Sequence, residues 1–425
     1  MKKRITSWLL MLVLVLGLFP AIVGAAPKSG GSGTEADPYL IATAEDLAAF
    51  RDEVNASADK STSALCAKLV ANIDLSSIEG NWVPIGRATN TYSVYVGYAG
   101  TFDGNGYTIS GLNIESTAQY QGLFGYVKGG TVKNLTVQGS VKTSTTSSSY
   151  AAGIVSYGNP AVIENCTNRV NVTADKKGYA GGVASYLGSG SSIRNCINLG
   201  DIISNGGYTA GIAGTANDTT IQNCLNNGSV TDNGASASYT YCVGGVIGSM
   251  NTKSVMERSG NTGTVTSLLK RTGGVVGNAG GSISSCFNTG DVSGVYGLGG
   301  IAGGFYGKDV KITDCYNTGS ITCHAPVPAY KDTNSKGVGG IAGDPSSTSS
   351  SGIVLTNCYN TGVITNQDTT TENIILQQGS ITGLARRPTS IPGLPLRAVG
   401  TSAPRGTSVL GLGCRLRSVS AQLSI

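Results

Sequence analysis

The sequence predicts an all-β fold in which short strands of successive coils stack into a parallel β-helix. The chain of 425 residues contains 63 Gly but only 12% charged residues, so it is poor in charged helix formers and rich in turn formers. Two short motifs alternate along it at a spacing near 29 residues, which is typical of a solenoid. The Leu-x-x-Leu-x-Leu pattern of leucine-rich repeats is missing, and no repeat unit carries a helical pattern.

The N-terminus has the organisation of a signal peptide. A basic start, Lys2 to Arg4, precedes an apolar run from Trp8 to Val23, and small residues follow this run. We expect residues 1–25 to be removed on export, with cleavage near Ala25. An uncleaved membrane anchor is the alternative, which the shortness of the apolar run disfavours. No later apolar stretch approaches spanning length, so we expect no transmembrane segment in the mature chain.

Residues 26–81 are expected to form an N-terminal linker and a capping region. Leu47, Phe50 and Val54 lie on one face of an amphipathic pattern, and Thr43 followed by an acidic residue three positions later approximates a capping box. We expect a short helix that covers one end of the β structure, because the first coil would otherwise expose an unpaired edge. A helix that binds a partner is the alternative.

The repeats are expected to occupy residues 82–370, and their first motif is a run of small residues around one branched apolar residue. This apolar residue recurs at Val183, Ile212, Val246, Val275, Ile301 and Ile341. These markers are 29, 34, 29, 26 and 40 residues apart, so we expect one coil per unit with loop insertions between some coils. Each unit should contribute two or three strands of about 4–6 residues, which are too short to form a sheet alone.

The second motif places Cys, Asn and Gly at every second position, as in NCYNTG from Asn357. Residues two apart on a strand share a face, so we expect these side chains to point inward and to form ladders through the stacked coils. The cysteine ladder comprises Cys166, Cys196, Cys224, Cys286, Cys315 and Cys358. The asparagine ladder comprises Asn168, Asn198, Asn226, Asn261, Asn288, Asn317 and Asn360.

The ladder cysteine is interpreted as a packed thiol. Ser259 replaces it in one unit that keeps the asparagine, so a thiolate is not required. A metal site is disfavoured, because the chain has one histidine, His324, and no Cys-x-x-Cys, and no cofactor is predicted. Disulfides between rungs are the alternative, since export favours oxidation and the rung spacing permits the required Cα separation. Side chains that point the same way in register fit the disulfide dihedral angle poorly.

The asparagine is kept more strictly than the cysteine, and a stack explains why. A buried amide can donate to and accept from its neighbours above and below, each bond contributing about 1 kcal/mol net. An isolated buried amide would be costly.

Three aromatic residues follow the ladder cysteine in late coils. Alternation places Phe287, Tyr316 and Tyr359 on the outward face, where rings could contact a sugar. The favoured interpretation is an aromatic ladder that stabilises the sheet.

The motifs resemble those of the GLUG repeat family of bacterial surface proteins. The resemblance rests on QGLFG from Gln121, on the GGIAG and GGVVG segments, and on the NCYNTG strings, and it spans residues 33–367. It implies a right-handed parallel β-helix with a stalk, display or adhesive role and without catalytic residues in the repeat. Similar repeats also lie beside the catalytic region of immunoglobulin-A-specific metallopeptidases. The chain has no His-Glu-x-x-His, so that peptidase activity is not expected.

Charge and acidic residues exclude other function classes. The net charge is +5, of which the three basic residues at the start contribute +3 and six arginines after residue 372 contribute +6, leaving −4 for the remainder. The remainder of the chain therefore has no cluster of basic residues of the kind that binds nucleic acid. The acids of the repeats are scattered, as at Glu164, Asp201, Asp291 and Asp314, and do not recur on neighbouring coils, which disfavours glycoside hydrolysis by paired carboxylates.

Residues 371–425 form an atypical tail. After Glu372, arginine and proline become frequent, while lysine and acidic residues are missing. The change in mid-repeat is typical of translation out of frame, and a disordered basic tail is the alternative.

These observations predict a non-catalytic, secreted or cell-surface repeat protein with a stalk, display or adhesion role. The partner would be a host or cell-surface glycan or protein. A carbohydrate-binding or carbohydrate-active β-helix protein is the alternative.

Overall fold

The computed structural model describes residues 29–88, 95–145, 148–175, 178–234, 241–268, 270–307, 309–324, 337–344 and 353–367. Over these residues the chain is a parallel β-solenoid of about nine turns, which confirms the predicted fold class. Four sheets run along the stack, and a complete coil passes through them in the order sheet 1, sheet 2, sheet 3 and sheet 4.

Sheets 1 and 2 contain the small-residue motif, which turns the chain from one sheet into the other. Sheet 1 comprises Tyr120–Gln121, Ser149–Ala152, Gly178–Gly181, Gly207–Ala210, Cys242–Gly244, Lys270–Gly273, Tyr296–Gly299 and Val338–Gly339. Sheet 2 comprises Ser61–Ser63, Tyr95–Tyr98, Phe124–Val127, Val155–Gly158, Ala184–Leu187, Ala213–Ala216, Ile247–Met250, Val276–Ala279, Ala302–Phe305 and Ala342–Asp344, with Arg87–Ala88 antiparallel at its side.

Sheets 3 and 4 flank the corner that carries the ladder cysteine. Sheet 3 comprises Tyr39–Ile41, Ala67–Leu69, Thr101–Asp103, Gly130–Lys133, Ala161–Glu164, Ser192–Arg194, Thr220–Gln222, Val255–Glu257, Ser282–Ser284, Lys311–Thr313 and Val354–Thr356. Sheet 4 begins with Ile73–Asp74, Thr108–Ser116, Thr136–Thr143 and Thr167–Ala174. It continues as two parallel rows, Ile197–Asn198, Leu225–Asn226, Gly260–Asn261, Phe287–Asn288, Tyr316–Asn317 and Tyr359–Asn360 beside Ile202–Ser204, Val230–Asp232, Val265–Ser267, Val292–Gly294, Ile321–Cys323 and Ile364–Asn366.

The later coils therefore contain more strands than the two or three expected from the sequence. Sheet 4 divides at the residue two positions after the ladder asparagine, which is glycine in the divided coils. Asn198 Nδ2 donates to the Gly200 carbonyl at 2.8 Å, and Asn198 Oδ1 accepts from the Gly200 amide at 3.3 Å. Asn168 makes the same two bonds to Val170, at 3.0 and 3.2 Å, yet Thr167–Ala174 runs without a break. The asparagine bonds are therefore common to both arrangements, and the division coincides with glycine in place of Val170.

One hydrophobic core runs through the stack, and the first motif supplies one wall of it. The marker residues from Val183 to Ile341 are all fully buried. Sheet 3 supplies the facing wall with an inward apolar residue on successive rungs, from Ile163 to Ile312. All of these residues belong to one continuous cluster. Burying an aliphatic side chain contributes roughly 1.5–3 kcal/mol, so each coil is stabilised mainly by its neighbours.

A capping helix, α1 (Ala44–Asn55), covers the first coil as predicted. The Thr43 hydroxyl accepts from the Asp46 amide at 3.1 Å, and an Asp46 carboxylate oxygen accepts from the Thr43 amide at 3.2 Å, which completes the capping box. Leu47, Phe50 and Val54 are fully buried. The Phe50 ring contacts the rings of Tyr98 in sheet 2 and Phe102 in sheet 3. A single 3₁₀ turn, Leu75–Ser77, follows the first strand of sheet 4.

The predicted signal peptide and the atypical tail lie outside the described residues. Within the part that the structure describes, no helix has the length and hydropathy needed to cross a membrane.

Candidate functional site: an inner ladder and an outer groove

The seven asparagines stack in a continuous hydrogen-bonded ladder inside the solenoid. Each Nδ2 donates to the Oδ1 of the asparagine on the next coil, at 2.6–2.7 Å from Asn168 through Asn360. Each Nδ2 also donates to a carbonyl two residues on, at 2.7–3.0 Å. Six of the seven are fully buried, and Asn360 at the last described rung is 8% exposed. The ladder thus satisfies a row of buried amides that would be costly one by one.

The two sequence motifs pack against each other, which explains why they alternate. At one glycine of each small-residue motif, an added Cβ would lie 1.9–2.3 Å from the ladder asparagine of the same coil. The pairs are Gly153 with Asn168, Gly182 with Asn198, Gly211 with Asn226, Gly245 with Asn261, Gly274 with Asn288, Gly300 with Asn317 and Gly340 with Asn360. The glycine therefore makes room for the amide, and each coil needs both motifs.

The ladder cysteine acts as a hydrogen-bond donor at the corner between sheets 3 and 4. In all six coils that carry it, the thiol lies 3.1–3.3 Å from the carbonyl oxygen two residues earlier. The Ser259 hydroxyl makes the same bond, to the Glu257 carbonyl at 2.9 Å. The residue before each of these seven positions has a left-handed backbone conformation, with φ of 46–54°. The thiol or hydroxyl therefore makes its hydrogen bond across a tight bend of the backbone.

The chemistry of these thiols is that of buried groups. The nine cysteines among the described residues form no disulfide with one another, and eight of them are buried. Burial raises the pKa of the Cys242 thiol to about 11, and a hydrogen bond with Cys286 together with burial raises that of Cys315 to about 12. A thiol with such a pKa is a poor nucleophile and metal ligand at neutral pH. The described residues contain no group of three or more His, Cys, Asp or Glu suited to a metal ion.

Phe287, Tyr316 and Tyr359 form the outward aromatic stack of sheet 4. The ring centroids are 5.6 and 5.3 Å apart, and the planes differ by 14° and 6°. Both faces of the Tyr316 ring are therefore covered by its neighbours, and a ligand could reach only its edge. This geometry favours a stabilising role for the stack. Tyr359 is the last ring of the stack and is 52% exposed, so one face of its ring is not covered by a neighbouring ring of the stack.

A larger set of tyrosines, which the sequence analysis did not single out, lines the outside of sheets 1 and 2. The sheet 1 column is Tyr120, Tyr150, Tyr179 and Tyr208, and the sheet 2 column is Tyr126, Tyr157 and Tyr186. Rings of the two columns meet edge to face, as for Tyr179 and Tyr186 at 5.7 Å and 89°. Outward side chains of adjacent sheets can meet in this way only if the surface is concave, so sheets 1 and 2 form the two walls of a groove.

The groove opens into a pocket of about 660 Å³ where the tyrosine columns end. On the next coils the tyrosine positions are taken by Cys242 in sheet 1 and by Thr215, Ser249 and Asn278 in sheet 2. Three of these, Thr215, Ser249 and Asn278, form the floor of the pocket, and Tyr186 and Tyr208 close one end of it. The volume lies in the range of small-molecule sites, roughly 300–1,000 Å³.

The loops that follow sheet 2 add charged and polar groups to this pocket. Asp218 accepts from Asn251 Nδ2 at 2.6 Å and from the Ser189 hydroxyl at 3.1 Å, and it lies 3.5 Å from Lys253 Nζ. These bonds, that from Asn251 first, hold the pKa of Asp218 below its usual value. Among the described residues that line the pocket, Asp218 is the only carboxylate. Two-carboxylate glycoside hydrolysis would need a second acid within about 5–9.5 Å.

Comparison with known proteins gives partial matches. No family model matches the chain, so the resemblance to GLUG repeats stays a prediction from the motifs. A segment of 117 residues, 25% of the chain, is 37% identical to "Halomucin" of Haloquadratum walsbyi. A segment of 126 residues, 28% of the chain, is 36% identical to a "Putative Gly-rich membrane protein" of Evansella cellulosilytica. These matches span 1% and 13% of the relatives, so they compare repeats rather than whole proteins.

A solved structure with a similar architecture is described as "a putative immunoglobulin A1 protease from Bacteroides ovatus". The aligned region covers 78% of this chain and 86% of the solved chain, with 20% sequence identity and a TM-score of 0.49. A similarity at this level indicates no shared activity.

Proposed function

We propose that the chain is a non-catalytic extracellular β-solenoid with a stalk, display or adhesion role. The carrying observation is the uninterrupted asparagine ladder, which ties seven coils into one stack by six side-chain bonds. Eleven strands of sheet 3 at about 4.8 Å per step span roughly 50 Å. A stack of this kind holds the groove between sheets 1 and 2 in a fixed position relative to the solenoid axis.

The chemistry of the described residues supports a role without catalysis. The inward polar side chains of the ladder bond to one another and to backbone groups, so they are not presented to a ligand. Asp218, the one carboxylate among the described residues of the groove pocket, is held by three partners, which suits a structural or binding role better than proton transfer. The groove and the aromatic stack of sheet 4 are the surfaces that a partner could contact.

Surface labelling tests the location. The full-length chain, tagged in a loop of the repeats, is expressed in a bacterial host, and intact cells, culture medium and lysed cells are probed with antibody. The proposal expects the tag on intact cells or in the medium. Recovery of the tag only after lysis, in a chain that is folded by circular dichroism, would contradict it.

A carbohydrate-active protein is the second candidate, because the pocket combines a carboxylate with aromatic rings. It predicts that the full-length chain releases new reducing ends from a polysaccharide and that Asp218→Asn abolishes the release. The proposed non-catalytic role predicts no release by either protein.

A further inference from the structure

The groove pocket contains buried polar atoms that the described protein leaves without partners. Among the described residues, five buried side-chain polar atoms have no hydrogen-bond partner, and two of them, Thr215 Oγ1 and Asn278 Oδ1, belong to the pocket floor. Thr215 is 7% exposed and Asn278 is 6% exposed. A buried unpaired oxygen costs free energy, and a ligand with hydroxyl groups would satisfy both atoms.

Aromatic rings face the same space. The Tyr157 and Tyr186 rings are stacked at 4.6 Å and 4°, so their planes lie across the solenoid axis. On the next rung of sheet 2 stands the small Thr215, so the far face of the Tyr186 ring is turned toward the pocket. Tyr306, 59% exposed, lines the pocket as well. Sugar rings pack their C–H faces on aromatic faces of this kind, while their hydroxyls bond to nearby polar groups.

The two charged residues that line the pocket differ in their partners. Asp218 has three, including Lys253. Arg271 hydrogen-bonds the Cys242 thiol, and none of the ion pairs between described residues includes it. Its side-chain stem lies over Gly304, where an added Cβ would be 2.6 Å from Arg271 Cγ, so the packing fixes the side chain at the pocket wall. A guanidinium held in this way is suited to bind a carboxylate.

The spacing of the coils fits a polymer. Thr215 and Asn278 lie two rungs apart on sheet 2, or roughly 10 Å at about 4.8 Å per rung. An oligosaccharide, rather than a single sugar, would therefore reach both positions.

We propose that the groove between sheets 1 and 2 is a binding site for an acidic polysaccharide. One sugar packs on the free face of Tyr186 and bonds to Thr215, a further sugar bonds to Asn278, and a uronic acid carboxylate pairs with Arg271. The inference deepens the proposed adhesive role and rests on it for the extracellular location. A displayed chain that binds no acidic glycan retains that role and loses this site.

Binding of defined oligosaccharides tests the site on the full-length chain. Hexamers of galacturonate, glucuronate and mannuronate are titrated into the protein in a calorimeter. The methyl ester of each hexamer, which carries no charge, is the control. At least one acid is expected to bind, with its ester at least tenfold weaker. No binding of any acid at millimolar concentration overturns the proposal, and so does equal binding of acid and ester.

Variants locate the site. Arg271→Gln is expected to weaken binding of the acid at least tenfold while changing the affinity for the ester little. Tyr306→Ala removes an exposed ring and is expected to weaken binding at least threefold at an unchanged melting temperature. Tyr316→Ala, the matched loss of a tyrosine in the sheet 4 stack, is expected to leave affinity unchanged. Binding that survives Arg271→Gln and Tyr306→Ala but is lost in Tyr316→Ala overturns the assignment to the groove.

Discussion

At the residue scale, the ladder asparagine contributes more to stability than the cysteine beside it. Asn288→Leu removes bonds to Asn261 and Asn317 and leaves the Gly290 carbonyl without its donor. At about 1–3 kcal/mol for each unsatisfied buried group, we expect a loss on the order of 3–6 kcal/mol. Cys286→Ala removes one thiol bond to a carbonyl at 3.2 Å and should cost about 1–2 kcal/mol.

Urea unfolding of both variants measures the difference directly. Asn317→Leu repeats the asparagine change on the next coil. Equal losses for Asn288→Leu and Cys286→Ala would contradict the greater weight given to the asparagine ladder.

The cysteine position should accept a hydroxyl. The Ser259 hydroxyl donates to a carbonyl as the thiols do, and it accepts from the Cys224 amide at 3.1 Å, as Cys315 accepts from the Cys286 amide at 3.4 Å. Cys286→Ser is therefore expected to keep the free energy of unfolding within about 1 kcal/mol of the original chain. Cys286→Val, which lacks the donor, is the control and should unfold at lower urea. A greater loss for serine than for valine would show that packing of sulfur, rather than donation, fills this position.

Asp232 gives the fold a pH dependence of known sign. It is 1% exposed, and burial raises its pKa from 3.8 to about 6, against the bonds donated by Ser204 and the Gly234 and Gly206 amides. A carboxyl group with a higher pKa in the folded chain stabilises the fold when it is protonated. Its contribution is present below about pH 4 and lost as the pH rises through 6, to an extent on the order of 3 kcal/mol.

The free energies of unfolding at pH 4 and pH 7 test this effect. The original chain should lose more stability between the two values than Asp232→Asn, which cannot ionise. Glu35→Gln, at an exposed acid, is the matched control and should follow the original chain. Parallel pH profiles for the original chain and Asp232→Asn would exclude an ionisation of Asp232 in this range.

At the scale of the element, the corner glycine and the ladder asparagine form one unit. In Gly274→Ala the new Cβ would lie 2.3 Å from Asn288 Cγ and 2.2 Å from the Gly300 carbonyl oxygen, and the backbone oxygen cannot move without shifting the next coil. We expect Gly274→Ala to destabilise by at least about 3 kcal/mol, as overpacking against backbone does.

Gly294→Ala is the control for this change. Its nearest contact would be the flexible end of Leu298 at 2.8 Å, which can rotate away. Thermal unfolding followed by circular dichroism compares the two variants. A loss in Gly274→Ala no greater than in Gly294→Ala would show that the corner has room for a methyl group and would contradict the prediction.

The inward elements could be predicted from the sequence, and the groove could not. Each inward position is held by its equivalents above and below, so Asn and Gly recur at every coil and a comparison of repeats finds them. The tyrosine columns also recur at 29–31 residues, from Tyr120 to Tyr208 and from Tyr126 to Tyr186. They precede and follow the small-residue motif by a few residues, and alignment outward from that motif would have found them.

The pocket itself had no signal of this kind. Thr215, Asn278 and Arg271 differ in type because they break the tyrosine columns, so no repeat marks them. Their proximity depends on how sheets 1 and 2 meet, which only the structure gives. The number of strands per coil could not be predicted from the asparagine either, because Asn168 in the unbroken strand makes the same backbone bonds as Asn198 in a divided one.

At the scale of the whole molecule, the polar side chains of the interior ladder bond to one another, and the coils differ mainly at their outward positions. The core cluster extends from Ile41 to Ala342, so the coils share one interior. Stability in such a stack arises mainly between neighbours, and the outward positions are free to vary. We therefore expect the ladders to stabilise the solenoid and the groove to bind the ligand.

Size-exclusion chromatography of the full-length chain with a fluorescent acidic polysaccharide tests this assignment most directly. One elution profile reports both association and any shortening of the glycan. We expect the glycan to elute with the protein and, after a day of incubation and recovery, to keep its original length. Conversion of the glycan to shorter fragments would contradict a non-catalytic role, and separate elution of protein and glycan for every acidic polysaccharide tried would contradict ligand contact at the groove.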